Sequence, residues 1–249
     1  MTGPDESRAA DAGRRRFLTG AAMSTLLLAP GVSLITYAAG RGATAGASSK
    51  VRWGLLIDTN RCTASCTACV TACSTTHGWK DLGRPTDPQW IRKVTLSDPA
   101  SGTTRSLPVM CQHCAEPPCV DVCPTGASFK RADGIVLVDR HSCIGCRYCM
   151  MACPYKARSY VHEPLADQKP DVPRGKGCVE SCTLCVHRID RGEKMTACAE
   201  ACARAGHHAI VFGDLNDPAS EIARRVRELR TTALRADLKL DPGVRYQGL

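Results

Sequence analysis

CIGCRYCMMACP, the run of residues 143–154, determines the local structure of the chain around it. Its first three cysteines, each two residues apart, lie on one tight loop, where three thiolates reach one inorganic iron–sulfur core. Cys153 follows after three more residues, on the helix after the loop, and points toward a neighbouring core. Pro154 restricts the backbone and turns the chain away. The run therefore predicts a [4Fe–4S] cluster with a second cluster beside it.

The other cysteines form comparable groups. The chain has 249 residues and 17 cysteines, of which 16 fall into four groups of four. In chain order the groups are Cys62, Cys66, Cys69 and Cys73; Cys111, Cys114, Cys119 and Cys123; Cys143, Cys146, Cys149 and Cys153; and Cys182, Cys185, Cys198 and Cys202. Cys178 is left over. Sixteen thiolates suffice for four [4Fe–4S] clusters, which are the expected cofactors.

The segment between the second and third groups shows how these two belong together. Asp133-Gly134 is a turn signal, and the apolar residues 135–138 predict a strand. The predicted order of elements resembles the repeat of a two-cluster bacterial ferredoxin: loop, helix, strand, turn, strand and loop. The first and fourth groups flank this unit and are expected to form an outer pair. The predicted fold class is α+β, with tandem ferredoxin-like βαβ units made of short strands, short helices and many loops.

Disulfides and structural zinc are the two alternatives for so many cysteines. A disulfide framework is common in oxidising compartments. Such frameworks rarely place four cysteines within eleven to thirteen residues three times over, and 17 is an odd number. Zinc sites use C-x2-C pairs but do not require a third and fourth cysteine in the same run. Metal and acid-labile sulfide analysis separates the three possibilities.

Composition limits the partners of the chain. The formal charge is +9, of which residues 1–45 contribute +2. Four oxidised clusters with their thiolates carry roughly −8 in total, so the loaded protein is near neutral and no nucleic-acid partner is expected. Aromatic residues make up only 4% of the chain, which leaves room for clusters in the core. The sequence shows no nucleophile with a base, no phosphate loop and no dinucleotide fingerprint. We therefore expect no catalytic residues, no small-molecule substrate and no enzyme activity of its own.

The N-terminus resembles a twin-arginine export signal. Residues 14–18 read RRRFL and precede a mildly apolar run to about residue 39, with small-residue cleavage sites after it. A membrane anchor is the alternative, since the run is long enough to span a bilayer. The twin-arginine route carries folded proteins with cofactors inserted, so the expected location is the periplasm, attached to the inner membrane through partner subunits.

Patterning divides the rest of the chain. A hairpin is predicted around the turn signal at residues 97–102, and Asp217-Pro218 predicts the start of a basic helix. Four basic residues near the inner motifs would raise cluster potentials by their charge; they are Lys130, Arg131, Arg147 and Lys156.

The predicted divisions are an export signal at 1–47; a four-cluster domain at 48–214, with an outer unit of 50–79 and 175–214, an inner unit of 108–165 and a hairpin insertion at 88–107; and a C-terminal helix and tail at 215–249.

Several motifs resemble those of the four-cluster ferredoxin subunits of periplasmic oxidoreductases, which serve polysulfide, tetrathionate, formate and dimethyl sulfoxide enzymes. They are MCQHCAEPPCVDVCPTGA at 110–127, residues 143–156, CTLCVHRIDRG at 182–192 and FGDLNDP at 212–218. The resemblance covers roughly residues 50–230. It implies an electron-transfer subunit without bond chemistry of its own.

A closer resemblance is to the periplasmic iron–sulfur subunit of the Dsr sulfur-metabolism membrane complex (the DsrO type). It rests on RWGLLIDTN at 52–60, the widened first group and PVMCQHC at 108–114. This resemblance implies an NrfD-like quinone-interacting membrane protein and a c-type cytochrome as partners, in dissimilatory sulfur metabolism. The alternative is a subunit that serves a periplasmic molybdenum oxidoreductase.

The family also implies how the cysteines are shared. The four ligand sets are set 1 (Cys62, Cys66, Cys69 and Cys202), set 2 (Cys73, Cys182, Cys185 and Cys198), set 3 (Cys111, Cys114, Cys119 and Cys153) and set 4 (Cys123, Cys143, Cys146 and Cys149). The first group departs from the family by one extra residue, and neither Cys73 nor Cys202 is followed by proline. Cys178 competes as a ligand of the outer pair, so a three-cluster protein remains the alternative.

Overall fold

The computed structural model describes residues 47–166 and 168–249, so residues 1–46 of the predicted export signal lie outside the described residues. The described chain is a mixed α+β structure of small sheets, short helices and many loops. Its strands are β1 (Trp53–Asp58), β2 (Ile91–Ser97), β3 (Thr104–Met110), β4 (Ser128–Lys130), β5 (Val136–Val138), β6 (Arg158–Tyr160), β7 (Val179–Ser181), β8 (Ile210–Asp214), β9 (Thr231–Thr232) and β10 (Val244–Gln247). Its helices are α1 (Ala68–His77), α2 (Pro118–Asp121), α3 (Tyr148–Ala152), α4 (Val186–Ile189), α5 (Ala197–Arg204), α6 (Glu221–Glu228) and the 3₁₀ turn Ala236–Leu238.

The largest sheet has the strand order β8-β1-β10-β9. β1 is antiparallel to β8, with Ile57 opposite Ile210, and parallel to β10, with Leu55 opposite Val244. Leu55, Leu56 and Ile57 are fully buried, so both faces of β1 are covered, because successive side chains of a strand point to opposite faces. The C-terminal segment after residue 215, treated in the sequence as a separate helix and tail, thus contributes two strands to the sheet that contains β1.

The hairpin appears where the sequence predicts it. β2 pairs with β3 in antiparallel register from Ile91 opposite Met110 to Ser97 opposite Thr104. The base of the hairpin is buried, since Trp90 has no exposed surface, and β2 packs against α1. The tip is exposed. The hairpin therefore stands with one end in the core and the other in solvent.

The smaller sheets have two strands each. β4 pairs with β5 on either side of the predicted Asp133-Gly134 turn, with Ser128 opposite Val138. β6, which follows the third cysteine group, pairs with β7, which precedes the fourth, with Arg158 opposite Ser181. This second pairing joins the inner cysteine segment to the chain that carries the fourth group.

The helix predicted to start at Asp217-Pro218 begins later, so that prediction was wrong. The Asp217 carboxylate accepts a hydrogen bond from the Ala219 N–H at 2.9 Å, which closes a turn before the helix. Ser220 is the N-cap of α6, and its Oγ accepts from the Ala223 N–H at 3.2 Å. The turn competes locally with the helix and delays its start. None of the described helices is both long and apolar enough to cross a membrane.

Candidate metal centres

The cysteines line two separate buried cores. One core contains cysteines of the first and fourth groups, together with residues of β1, β2 and β3. The other contains cysteines of the second and third groups, together with Val136, Tyr155 and Val179. Cys182 packs against both cores. The structure therefore divides the described cysteines into the outer and inner pairs expected from the sequence, and all 17 thiols are free of disulfide bonds.

Two facing helices bring the outer groups together. Cys69 and Cys73 are one turn apart on α1, and Cys198 and Cys202 are one turn apart on α5, so each pair occupies one helix face. The helices pack together in such a way that Cys69 meets Cys202 while Cys73 meets Cys198. The two helices therefore run in opposite directions, and each gives one sulfur to each of two adjacent cavities.

The four cysteines of set 1 line a single cavity. Its wall also includes Thr63, Pro108 and His207. The widened loop of the first group is held by the Lys93 ammonium, which donates to the carbonyl of Cys66 at 2.9 Å and also to that of Thr63. The extra residue in this group is thus accommodated by a loop that a side chain of β2 braces.

The four cysteines of set 2 line the adjacent cavity. Apolar residues from three strands, Leu55, Ile91 and Met110, form its opposite wall. The Trp79 indole N–H donates to Cys73 Sγ at 3.5 Å, and the hydroxyl of Thr196 lies 3.3 Å from Cys198 Sγ. This cavity is thus lined by sulfur and apolar atoms, with polar groups directed at the sulfurs.

The sulfurs of set 3 lie close together in the inner core. Burial is the main cause that raises the pKa of Cys114 to about 12, and the neighbouring sulfurs of Cys119 and Cys153 add to it. The same two sulfurs also raise the pKa of Cys111. The first three cysteines of the second group and the last cysteine of the third group therefore converge on one place.

Set 4 is the most open of the four sets. Burial raises the pKa of Cys149, and the sulfurs of Cys143 and Cys123 lie close enough for their charges to raise it further. Cys146, by contrast, is exposed. Gly145 sits inside this loop with φ of +69°, and a Cβ there would lie 2.2 Å from the carbonyl oxygen of Gly177. Only glycine permits that turn and that close approach, and the turn directs Cys143 inward while Cys146 faces solvent.

Backbone amides are directed at sulfurs in three of the sets. Such hydrogen bonds stabilise thiolates and are one of the means by which proteins tune iron–sulfur potentials. The bonds are Ala209 N–H to Cys202 Sγ at 3.2 Å, Leu184 N–H to Cys182 Sγ at 3.4 Å, Ala197 N–H to Cys185 Sγ at 3.4 Å, Ser128 N–H to Cys123 Sγ at 3.3 Å and Val179 N–H to Cys143 Sγ at 3.5 Å.

The chemistry of these sulfurs fits an iron–sulfur cluster. Burial is the largest cause that raises the pKa of Cys69 and of Cys185 to about 12, so each thiol keeps its proton at neutral pH unless a cation compensates the thiolate. Bound iron supplies that charge, and coordination deprotonates the thiol. In the described ranges, no three His, Cys, Asp or Glu side chains are arranged as ligands of a single metal ion. Each outer set surrounds a cavity instead.

Cys178 lies away from the outer cavities. Its thiol donates to the carbonyl of Arg140 at 3.3 Å, and its side chain faces the third cysteine group. Neither outer cavity includes it in its lining. The expectation that it competes for the outer pair is therefore not supported by its position, although only three residues separate it from the fourth group.

The basic residues singled out in the sequence differ in their surroundings. Arg131 is paired with the carboxylates of Asp133 at 2.9 Å and Asp190 at 2.8 Å. Arg147 lies over the ring of Tyr160, 4.9 Å from its centroid. Lys130 donates to the carbonyl of Ala115, and Lys156 is exposed.

Two further basic residues, which the sequence did not single out, lie beside the cysteines in the structure. Lys93 braces the first cysteine loop, and Arg158 is buried among the inner sulfurs. The available signal for Arg158 was its place at the start of a short strand, three residues after Tyr155 of the Cys-Pro-Tyr run, where alternate side chains face the core. No local signal marks Lys93, because its contact lies some 27 residues away in the chain.

One histidine within a cysteine group has a structural contact. His113 is buried within the second group, and its Nδ1 accepts a hydrogen bond from the Val136 N–H at 3.1 Å. Burial lowers the pKa of His113 to about 3, so the ring is neutral. It thereby ties the second cysteine group to β5.

Comparison with known proteins agrees with these centres. The family described as "4Fe-4S dicluster domain" matches residues 103–214. The chain is 42% identical to the Hdr-like menaquinol oxidoreductase iron–sulfur subunit 1 of Archaeoglobus fulgidus, over 95% of this chain and 98% of the relative. It is 36% identical to the B subunit of the tetrathionate reductase of Salmonella typhimurium, over 81% of this chain and 74% of that protein.

Protein NrfC of Escherichia coli K12 is 33% identical, over 92% of each chain. The similarity to these proteins extends over most of their length as well as most of this chain. The relatives named for a complex are iron–sulfur or B subunits of oxidoreductases. The chain therefore belongs to the family of 4Fe–4S iron–sulfur electron-transfer subunits of oxidoreductase complexes.

Proposed function

We propose that this chain holds four [4Fe–4S] clusters, one on each of sets 1 to 4, and conducts electrons between partner subunits. The observation that carries the proposal is the convergence of each outer set on its own cavity, with both cavities lined by four cysteines. The close approach of the inner sulfurs supports the same assignment for sets 3 and 4. Two tandem ferredoxin-like units, outer and inner, account for both pairs.

When bound to these cysteines, the clusters would supply one-electron transfer without bond chemistry. The protein holds each sulfur in position and directs backbone N–H groups at sulfurs of three of the four sets. Cys182 packs against both cores, which supports a route from the outer pair to the inner pair through set 2. Set 4 has an exposed ligand, Cys146, which supports electron exchange with a partner at that end.

The proposed partners are an NrfD-like quinone-interacting membrane protein and a c-type cytochrome, in dissimilatory sulfur metabolism. A relative named as part of a menaquinol oxidoreductase, matched over nearly its full length, supports the link to quinone. The relative named for tetrathionate supports the link to sulfur compounds. The resemblance of the N-terminus to a twin-arginine signal supports a periplasmic location, with attachment to the inner membrane through the partners.

The second candidate is the electron-transfer subunit of a periplasmic molybdenum oxidoreductase. The relationship to the tetrathionate reductase protein favours it. In that case the clusters would connect a quinone-linked subunit to a molybdenum-containing catalytic subunit. The cysteine sets and the outer-to-inner route would be the same in both complexes.

Affinity purification from native membranes distinguishes the two candidates. The chain carries a tag at its C-terminus, and the co-purifying subunits are identified by mass spectrometry, with metal analysis of the complex. An NrfD-like protein and a cytochrome without molybdenum support the Dsr-type assignment. A molybdenum-containing subunit in the complex contradicts that assignment and supports the second candidate.

A further inference from the structure

Arg158 is a buried cation without a carboxylate partner in the part of the chain that the structure describes. It opens strand β6 and is only 5% exposed. None of its three guanidinium nitrogens has a hydrogen-bond partner of good geometry among the described residues. An unpaired charge in the interior costs much free energy. The residue is therefore expected to have a compensating negative charge that the folded chain alone does not supply.

The groups around Arg158 are cysteine sulfurs from two different ligand sets. The side chain lies against Cys119 and Cys149, and Cys111 is the third sulfur whose charge acts on it. Cys119 and Cys111 belong to set 3, and Cys149 belongs to set 4. The guanidinium thus lies between the two inner sets.

We infer that Arg158 is a shared counter-charge of the two inner clusters, which stabilises their reduced states and so raises the reduction potential of both. This inference rests on the proposed function, because it requires clusters on sets 3 and 4. Each cluster with its thiolates is negative and becomes more so when it accepts an electron. A fixed cation between the two favours that added charge on either side. Arg158 acts as a positioning and potential-setting residue and takes part in no bond chemistry.

Arginine suits this place better than lysine. Its guanidinium is always charged, is weakly hydrated and spreads its charge over a plane, so that one side chain faces sulfurs of both sets. A lysine ammonium is a compact and strongly hydrated charge. The four basic residues found by motif do not have these surroundings, since Arg131 is compensated by two carboxylates and Arg147 is exposed over Tyr160.

The test is an anaerobic redox titration of the purified full chain, followed by electron paramagnetic resonance, for the wild type and three variants. Arg158→Gln removes the charge, Arg158→Lys keeps it, and Arg147→Gln removes an exposed charge beside the same motif. Iron and acid-labile sulfide are measured for every sample. At a fixed potential, Arg158→Gln is expected to lower the ratio of reduced to oxidised inner clusters at least tenfold, a shift of about 59 mV for a one-electron couple.

The potentials of the outer clusters are expected to be unchanged in all variants. We expect Arg147→Gln and Arg158→Lys to change the ratio of reduced to oxidised inner clusters less than threefold. Loss of inner iron in Arg158→Gln but not in Arg158→Lys also supports the inference, because it makes cluster retention depend on the charge. Full iron with unshifted potentials in Arg158→Gln overturns it. Equal effects of Arg158→Gln and Arg158→Lys, on the potentials or on the iron content, also overturn the inference. A wild-type chain without iron would instead refute the proposed function.

Discussion

The role of each cysteine depends on what its sulfur contacts. The sulfur of Cys143 accepts a hydrogen bond from the Val179 N–H, whereas the thiol of Cys178, the residue before Val179, donates to a backbone carbonyl. The spacing of the cysteines predicts the 16 candidate ligands because the geometry of a cluster loop is local. The burial of Arg158 could not be predicted in the same way, since it depends on sulfurs from two segments that only the fold brings together.

Replacement of single cysteines tests this distinction at the residue scale. Cys123→Ser replaces a soft thiolate with a harder oxygen that suits iron–sulfur clusters less well, so we expect the loss of at least one iron per chain and an altered resonance signal from one cluster. Cys178→Ser is the matched control and is expected to keep all its iron. Equal iron loss in both variants would mean that Cys178 is a ligand and that set 4 or its neighbours are wrongly assigned.

The hairpin formed by β2 and β3 has a structural role that its sequence does not reveal. Alternate residues of a strand point to opposite faces, and two adjacent residues of β2 use this to reach both cluster units. Lys93 donates to the carbonyl of Cys66 at 2.9 Å in the outer unit. Arg92 donates to the carbonyl of Tyr155 at 2.9 Å, beside the third cysteine group. The sequence predicts the hairpin from its turn and alternation, but these contacts join segments far apart in the chain.

Variants of these two residues are expected to affect different clusters. Lys93→Met removes the donor that braces the widened first loop, and should lower the iron content and the thermal stability of the cluster on set 1. Arg92→Met should weaken the inner unit and leave set 1 intact. Resonance spectra and cluster bleaching on heating distinguish the two. If both variants damage the same cluster, the hairpin is not a separate brace for each unit.

The whole molecule depends on its last residues, which the sequence treats as a separate tail. β10 inserts between β1 and β9, and Tyr246 on it is fully buried. The Tyr246 hydroxyl donates to the carbonyl of Pro108 at 3.2 Å, next to the second cysteine group. Parallel pairing of β1 with β10 leaves no trace in local patterning, because the two strands come from opposite ends of the described chain. Composition and spacing therefore predict the cofactor sites but not how the ends of the domain meet.

Tyr246→Ala should destabilise the whole described domain. It leaves a cavity in the core, which costs about 3–5 kcal/mol for a large aromatic side chain. Tyr246→Phe keeps the ring and loses only the hydroxyl contacts, which costs about 1 kcal/mol. Denaturant unfolding followed by the visible absorption of the clusters measures both. An alanine variant as stable as the phenylalanine variant would show that β10 is not integral to the core.

Quantification of iron and acid-labile sulfide in the anaerobically purified chain tests the central claim most directly. Four [4Fe–4S] clusters predict about sixteen irons and about sixteen sulfides per chain, with reducible signals in electron paramagnetic resonance. About twelve of each would leave one set without a cluster and contradict the four-cluster assignment. Zinc in place of iron, or no metal at all, would contradict the electron-transfer function itself.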